Sequence, residues 1–217
     1  MDGLLYFLCA AGGYLLGCLN PAYLLARRKG FDIRRRGSQG AGASNALITM
    51  GWRCAVLVGL TDIGKAALAA WLAESLLQLP AAGAVAGTAC VLGHIFPFYL
   101  GFRGGKGFAP FLGLILALDW RFWLGILAAV LLITLMTDYV ALGTLTTVVA
   151  FPLWSAATGQ VLTAAVVCAA SAVIFAKHLV NIRRMLAGTE IGLRRARKHD
   201  APQAEAAPAE DRQTVKK

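Results

Sequence analysis

A chain of 217 residues with 58% hydrophobic side chains, 15% charged residues and a mean hydropathy of +0.65 departs from the roughly 25% charged composition of soluble domains and argues against a soluble globular enzyme. The net charge of +10 points to a membrane and not to nucleic acid, because the basic residues lie between long apolar runs instead of interleaving with exposed aromatics. Five cysteines (Cys9, Cys18, Cys54, Cys90, Cys168) are odd in number, scattered and never spaced as C-x-x-C, so they read as buried small hydrophobes without a disulfide framework or a metal site.

A helix needs roughly 20 mostly apolar residues to cross a bilayer with all its backbone groups satisfied internally. The first such run, Leu4 to Ala26, has no positive n-region and no small-residue cleavage pattern, and reads as an anchor. Further runs follow at Arg53 to Leu79, Ala81 to Leu100, Phe108 to Leu118, Phe122 to Thr137, Tyr139 to Ala157 and Val161 to Ala176. The expected fold is an all-α integral membrane protein with seven transmembrane helices. Six is the alternative, because the short fourth run must tilt, re-enter or borrow polar flanks. Arginine and lysine crowd the first connection (Arg27 to Arg36), the connection after the third run (Arg103, Lys106) and the C-terminal segment (Lys177 to Lys198). The opposite connections hold Arg121 alone, which sets the N-terminus outside and the C-terminus inside. From 196 to 217 the composition turns to Ala, Pro, Glu and Lys, and a disordered cytoplasmic tail is expected after a membrane domain of residues 1–195.

Polar residues that an anchor has no use for form three clusters, all on the expected cytoplasmic side. In Gly37-Ser38-Gln39-Gly40-Ala41-Gly42-Ala43-Ser44-Asn45 the glycines let successive amides turn into one concavity suited to phosphate, with Ser38, Ser44 and Asn45 as added donors; a flexible small-residue loop is the alternative. The second cluster, His94 and then Gly104-Gly105-Lys106-Gly107, sets a point charge among glycines that allow close backbone approach. It is not a Walker A loop, whose Ser or Thr is replaced by Gly107. In the third, His178, Asn181 and Arg184 fall near one helix face, Gly188 is placed to end that helix, and Glu190 follows. Inside the second run, Asp62 and Lys65 at i, i+3 can neutralise each other. Histidine, aspartate and glutamate are too dispersed for a metal site, and no cofactor is expected.

Three ordered segments, GSQGAGASNAL (37–47), GHIFPFYLGFRGGKGFA (93–109) and KHLVNIRRMLAGTE (177–190), resemble the integral-membrane bacterial glycerol-3-phosphate acyltransferases that use acyl phosphate as donor. The resemblance implies seven membrane helices in the bacterial inner membrane, a cytoplasmic active site, and lysophosphatidic acid as product for phospholipid synthesis. It implies that Ser38, Gly42 and Asn45 cradle phosphate, that Gly104 to Gly107 form a second phosphate loop, that His178 and Asn181 contact substrate, and that Glu190 braces the third segment. The Asp62 and Lys65 pair looks like a family feature. The chain departs from the family pattern with Gly40 in place of an asparagine, Ile48 in place of an arginine, and Asp138, Ala141 and Gly143 where an arginine and serines are usual. Loss of a guanidinium at a phosphate site removes a charge-assisted contact of roughly 1.5–3 kcal/mol.

The expected reaction is attack of the glycerol 3-phosphate primary hydroxyl on an acyl phosphate, with Lys106 and backbone donors facing phosphate. Either His178 or the departing phosphate takes the proton. A divergent enzyme with another phosphorylated acceptor, a phosphometabolite transporter and a non-catalytic membrane protein are the alternatives. A transporter calls for polar clusters at both faces or at mid-membrane, whereas these lie on one face. The partners expected are the two substrates and the bilayer, and the sequence carries no signal of oligomeric state.

Overall fold

The computed structural model describes residues 2–194, so the tail expected from 196 lies outside the described residues. Among the described residues the chain forms α1 (Asp2–Cys18), α2 (Pro21–Arg28), α3 (Ala43–Met50), α4 (Trp52–Leu77), α5 (Ala82–Ile95), α6 (Phe108–Leu118), α7 (Trp120–Thr137), α8 (Val140–Ala157) and α9 (Val161–Leu186). Six spans are long and apolar enough to cross a membrane: Asp2–Arg28, Trp52–Leu77, Ala82–Leu100, Trp120–Thr137, Val140–Ala157 and Val161–Leu186.

The short fourth run is α6, whose 11 residues reach about 16 Å against a hydrocarbon core of about 30 Å. It nevertheless runs between the same two ends of the bundle as its neighbours. At its start Gly107 lies against Ile95 and Ile174, and at its finish Leu118 lies against Gly83. Phe111, Leu112, Leu114 and Ile115 are all buried, so protein rather than lipid surrounds it. Around it, Val91, Ile95, Phe151 and Ile174 complete the main core, with Phe111 and Phe151 edge to face at 6.1 Å.

The first run is not one straight helix. Pro21 cannot donate a helical hydrogen bond, and Asn20 caps α2 by accepting from the Tyr23 amide at 2.8 Å, so the chain breaks between Cys18 and Pro21. That break frees carbonyls inside the membrane, where each unsatisfied one costs several kcal/mol. Lys65 Nζ donates to Gly17 O (3.0 Å) and Leu19 O (2.6 Å), and the Tyr99 hydroxyl donates to Cys18 O (2.9 Å). The lysine therefore caps a helix C-terminus, where a cation also suits the helix dipole. The Asp62 pairing is present, with Oδ1 2.7 Å from Lys65 Nζ, and His94 joins it, its Nδ1 3.2 Å from the same oxygen.

Helix packing relies on small residues that let backbones touch. Gly13 and Gly17, one turn apart on α1, lie against the Ala86 and Cys90 backbone of α5, while Gly93 of α5 lies against Tyr14; a Cβ at any of the three would collide with main chain. Gly113 meets the Ile63 backbone in the same way and seats α6 against α4. Gly17→Leu is expected to destabilise the protein by about 1–3 kcal/mol, as overpacked interfaces do. Gly12→Leu, one position off that seam in open space, should be near neutral. Thermal unfolding of the two variants in detergent checks the difference.

Candidate active site

All three polar clusters reach one end of the bundle. The loop before α3 is built around Asn45, which is buried in the first helical turn. Its Oδ1 accepts from the Ser38 amide (2.8 Å), and its Nδ2 donates to Gly40 O (2.8 Å), Ile33 O (2.9 Å) and Arg36 O (3.0 Å). The amide thus holds the loop's own backbone, so its polar atoms are engaged by the chain rather than turned toward an anion. Gly37 has a φ of +56° directly beside it, and a side chain there would strike Asn45 Oδ1.

This loop is stitched to its neighbours. Asn20 Nδ2 donates to Ala41 O (3.0 Å), the Ala41 amide to Gly104 O (3.2 Å), and Arg34 Nη1 to Leu100 O (2.6 Å). Arg34 also pairs with Asp32 at 2.7 Å, and that hydrogen-bonded guanidinium holds the aspartate below the usual carboxylate range.

The glycine tract around Lys106 differs from the expected cradle. The Gly104 amide donates to Ile95 O (3.0 Å) and the Gly105 amide to His94 O (3.1 Å), so both are engaged at the end of α5. Gly105 passes so close over the His94 ring that a Cβ would overlap it, and Gly104 is pressed on the His94 carbonyl. These glycines serve close packing and lie outside the cavity wall. Gly107, with a φ of +92°, does line the cavity and starts α6.

Lys106 Nζ donates to Asn181 Oδ1 (2.7 Å), and Asn181 Nδ2 donates to Glu190 Oε1 (2.6 Å). Burial holds the Lys106 ammonium below its ordinary 10.5; the Glu190 carboxylate opposes that shift and the Arg184 guanidinium adds to it. Gly188, with a φ of +68°, ends α9 as expected: the Thr189 amide bonds to Arg184 O (2.8 Å), and the chain turns so that Glu190 faces back to Asn181. His178, one turn before Asn181, donates from Nδ1 to Ile174 O (2.8 Å), which leaves Nε2 of the neutral ring as an acceptor.

These groups enclose a cavity of about 190 Å³ whose wall includes Ser38, Gly42, Ser44, Lys106, His178 and Arg184, with His94 and Asp62 also contributing. Three helices begin at this wall, α3 after Gly42, α6 after Gly107 and α8 after Tyr139, and none has a side-chain cap. Their first-turn amides and positive dipole ends face the same space. Ile48, Val140 and Ala141 supply apolar wall beside them. Arg184, placed on the helix face by its spacing from His178 but given no role from sequence, borders the cavity, and its guanidinium has no hydrogen-bond partner among the described residues. The sequence marked the start of α8 only through the departures at Asp138, Ala141 and Gly143, of which Ala141 borders the cavity. Asp138 is absent from the wall and bonds instead to residues 193 and 194. Among the described residues no group of three His, Cys, Asp or Glu is placed to hold a metal.

Fold and cavity define a polytopic helical membrane protein with a largely apolar cavity, bordered by Lys106, His178 and Arg184, at one end of its bundle. The family model described as glycerol-3-phosphate acyltransferase matches residues 7–188, and the chain belongs to that family. Curated relatives named glycerol-3-phosphate acyltransferase include one from Synechococcus sp., 38% identical over 84% of this chain and 92% of its own. Another, from Thermoanaerobacter pseudethanolicus, is 37% identical over 84% and 93%. The fold is similar to crystal structures of PlsY (YgiH), an integral membrane glycerol 3-phosphate acyltransferase. The glycerol 3-phosphate form aligns with a TM-score of 0.82 at 31% identity over 87% of this chain and 95% of that one. The lysophosphatidic acid form aligns at 0.78 and 30% identity over 86% and 94%.

A lysine that must be charged to hold an anion loses that grip as pH rises through its pKa. Because the Lys106 value is lowered, affinity for inorganic phosphate should decline on the alkaline side at a pH below the ordinary 10.5. Titration calorimetry against pH, with Lys106→Arg as the comparison lacking that limb, checks it.

Proposed function

We propose that the protein transfers a fatty acyl group from acyl phosphate to the sn-1 hydroxyl of glycerol 3-phosphate, giving lysophosphatidic acid for phospholipid synthesis and releasing inorganic phosphate. The observation that carries this reading is the convergence of three uncapped helix starts, Lys106, Arg184 and the His178 Nε2 acceptor on one cavity with an apolar side. Positive groups serve the phosphates, and the apolar wall of Ile48, Val140 and Ala141 suits the first carbons of an acyl chain.

In the reaction the hydroxyl oxygen bonds to the acyl carbon, the bond from that carbon to the bridging phosphate oxygen breaks, and its electron pair leaves on inorganic phosphate. The mixed anhydride is already activated, so positioning and charge stabilisation carry most of the acceleration. Lys106 and the helix amides offset charge gathering on the leaving phosphate. The hydroxyl proton passes to His178 Nε2 or to the departing phosphate, and the ring tautomer fixed by Ile174 O suits the first route.

Arg184 takes the charge that Ile48 does not supply. Its unpartnered guanidinium is the group suited to a two-pronged grip on the glycerol 3-phosphate dianion. Arg184→Ala is therefore expected to raise the KM for glycerol 3-phosphate about ten- to a hundredfold, the loss of one charge-assisted contact. Steady-state kinetics read it directly.

The site end of the bundle carries Arg27, Arg28, Lys29, Arg34 to Arg36, Arg103, Lys177 and Arg183, while Arg121 lies at the other end beside Asp119. This asymmetry supports a site facing the cytoplasm from the inner membrane, with the N-terminus outside. A donor comparison on purified protein tests the reading. With glycerol 3-phosphate as acceptor, acyl phosphate should turn over, and acyl-CoA and acyl-carrier protein should not. Turnover confined to a thioester, or none with any donor, would overturn it.

A further inference from the structure

The segment after α9 borders the cavity and is tied down at a residue outside the cavity wall. Asp138 sits at the C-terminus of α7 with a φ of +70°. Its carbonyl accepts from the Leu193 amide and its Oδ1 from the Arg194 amide, both at 2.9 Å, while Arg194 Nη2 donates to Leu135 O at 2.9 Å. Gly192 lies so tightly on the carboxylate that a Cβ would overlap Oδ2. Within this segment Ile191 and Leu193 contribute to the cavity wall, and Glu190 turns inward to Asn181, which accepts from Lys106.

A helix C-cap needs only a residue that tolerates φ > 0, and glycine or asparagine serves for that. The carboxylate, which accepts a charge-assisted bond, and the bare glycine facing it have no part in capping. We propose that Asp138 is a positioning residue that latches residues 190–194 beside the cavity, so that Glu190 holds Asn181, and through it Lys106, in register for phosphate. In this chain Asp138 acts by fastening the far end of the third polar segment and not by lining the cavity. The kinetic half of the inference rests on the acyltransferase reading.

The test uses Asp138→Gly in the full-length protein, which keeps the backbone conformation and removes the carboxylate. Hydrogen exchange of the peptide spanning 189–194 should accelerate while exchange in α4 and α5 stays as in the parent. The kcat/KM for glycerol 3-phosphate should fall about ten- to a hundredfold, as misplacement of a binding group does. Glu190→Ala, which removes the acceptor for Asn181 Nδ2, should give a similar loss and the double variant no more than either alone, because both act through one contact chain. Gly192→Ala should reproduce the defect and add nothing to Asp138→Gly, and Asp138→Asn, which retains an acceptor, should keep most of the activity. Unchanged exchange in Asp138→Gly would overturn the latch. Faster exchange with kcat/KM within about twofold of the parent would overturn the positioning role. A parent protein without acyl transfer sinks the acyltransferase reading, and the positioning role with it, whereas the exchange comparison decides the latch by itself.

Discussion

Lys65 carries the constraint on which the rest depends. A membrane-embedded helix that breaks must give its freed carbonyls new partners, and here one buried ammonium serves the end of α1 at Gly17 and Leu19. An ammonium in that place needs a counter-charge, which Asp62 provides from one turn away on the same helix. The pair in turn fixes His94, whose ring touches both and whose upper side is covered by Gly105. Lys106 is the next residue. The position of the cavity's lysine is thus set, through a few close contacts, by the bend that Pro21 forces on the first span.

The cavity gathers positive potential with few cationic side chains. Three helix starts are aimed at it because α3, α6 and α8 all enter the bundle from the same end, a result of topology that no single residue encodes. Such dipoles cost no reorganisation when charge shifts on a bound anion, and they act beside a wall that is apolar at Ile48. Arg184 adds a second side-chain cation to that wall.

Much of this was legible in the sequence, and the reasons the remainder was not are physical. Span positions followed from apolar length, and the Asp62 to Lys65 pairing from helical spacing, because both are local properties. The break at Asn20 was hidden inside an unbroken apolar run, although Asn20-Pro21 is a cap followed by a first-turn proline. Asn45, Gly104 and Gly105 were rightly singled out as residues that an anchor does not need, but residue type alone does not say whether an amide or a glycine faces a ligand or its own chain. Asn45 makes its bonds to residues 5 to 12 positions away, and Gly105 packs on a ring 11 positions back, so both answers required the folded loop. The joining of Asp138 to residues 193 and 194 spans 55 positions or more and had no local signature.

The site's own hydrogen bonding also settles how its charges stand before substrate arrives. Lys106 is partly compensated by Asn181 and Glu190, and burial draws its proton affinity down; Arg184 has no such compensation. A dianion entering the cavity therefore meets Lys106, already engaged by Asn181, and Arg184, without a hydrogen-bond partner among the described residues, and its arrival raises the proton affinity of Lys106. Because binding and protonation of Lys106 favour each other, in the proposed reaction the same linkage holds for the phosphate that leaves as for the phosphate ester that enters. A cavity that held either anion with two fully exposed, permanent charges would release product slowly. Partial compensation by a carboxamide and a carboxylate lowers that grip while holding the Lys106 ammonium in place.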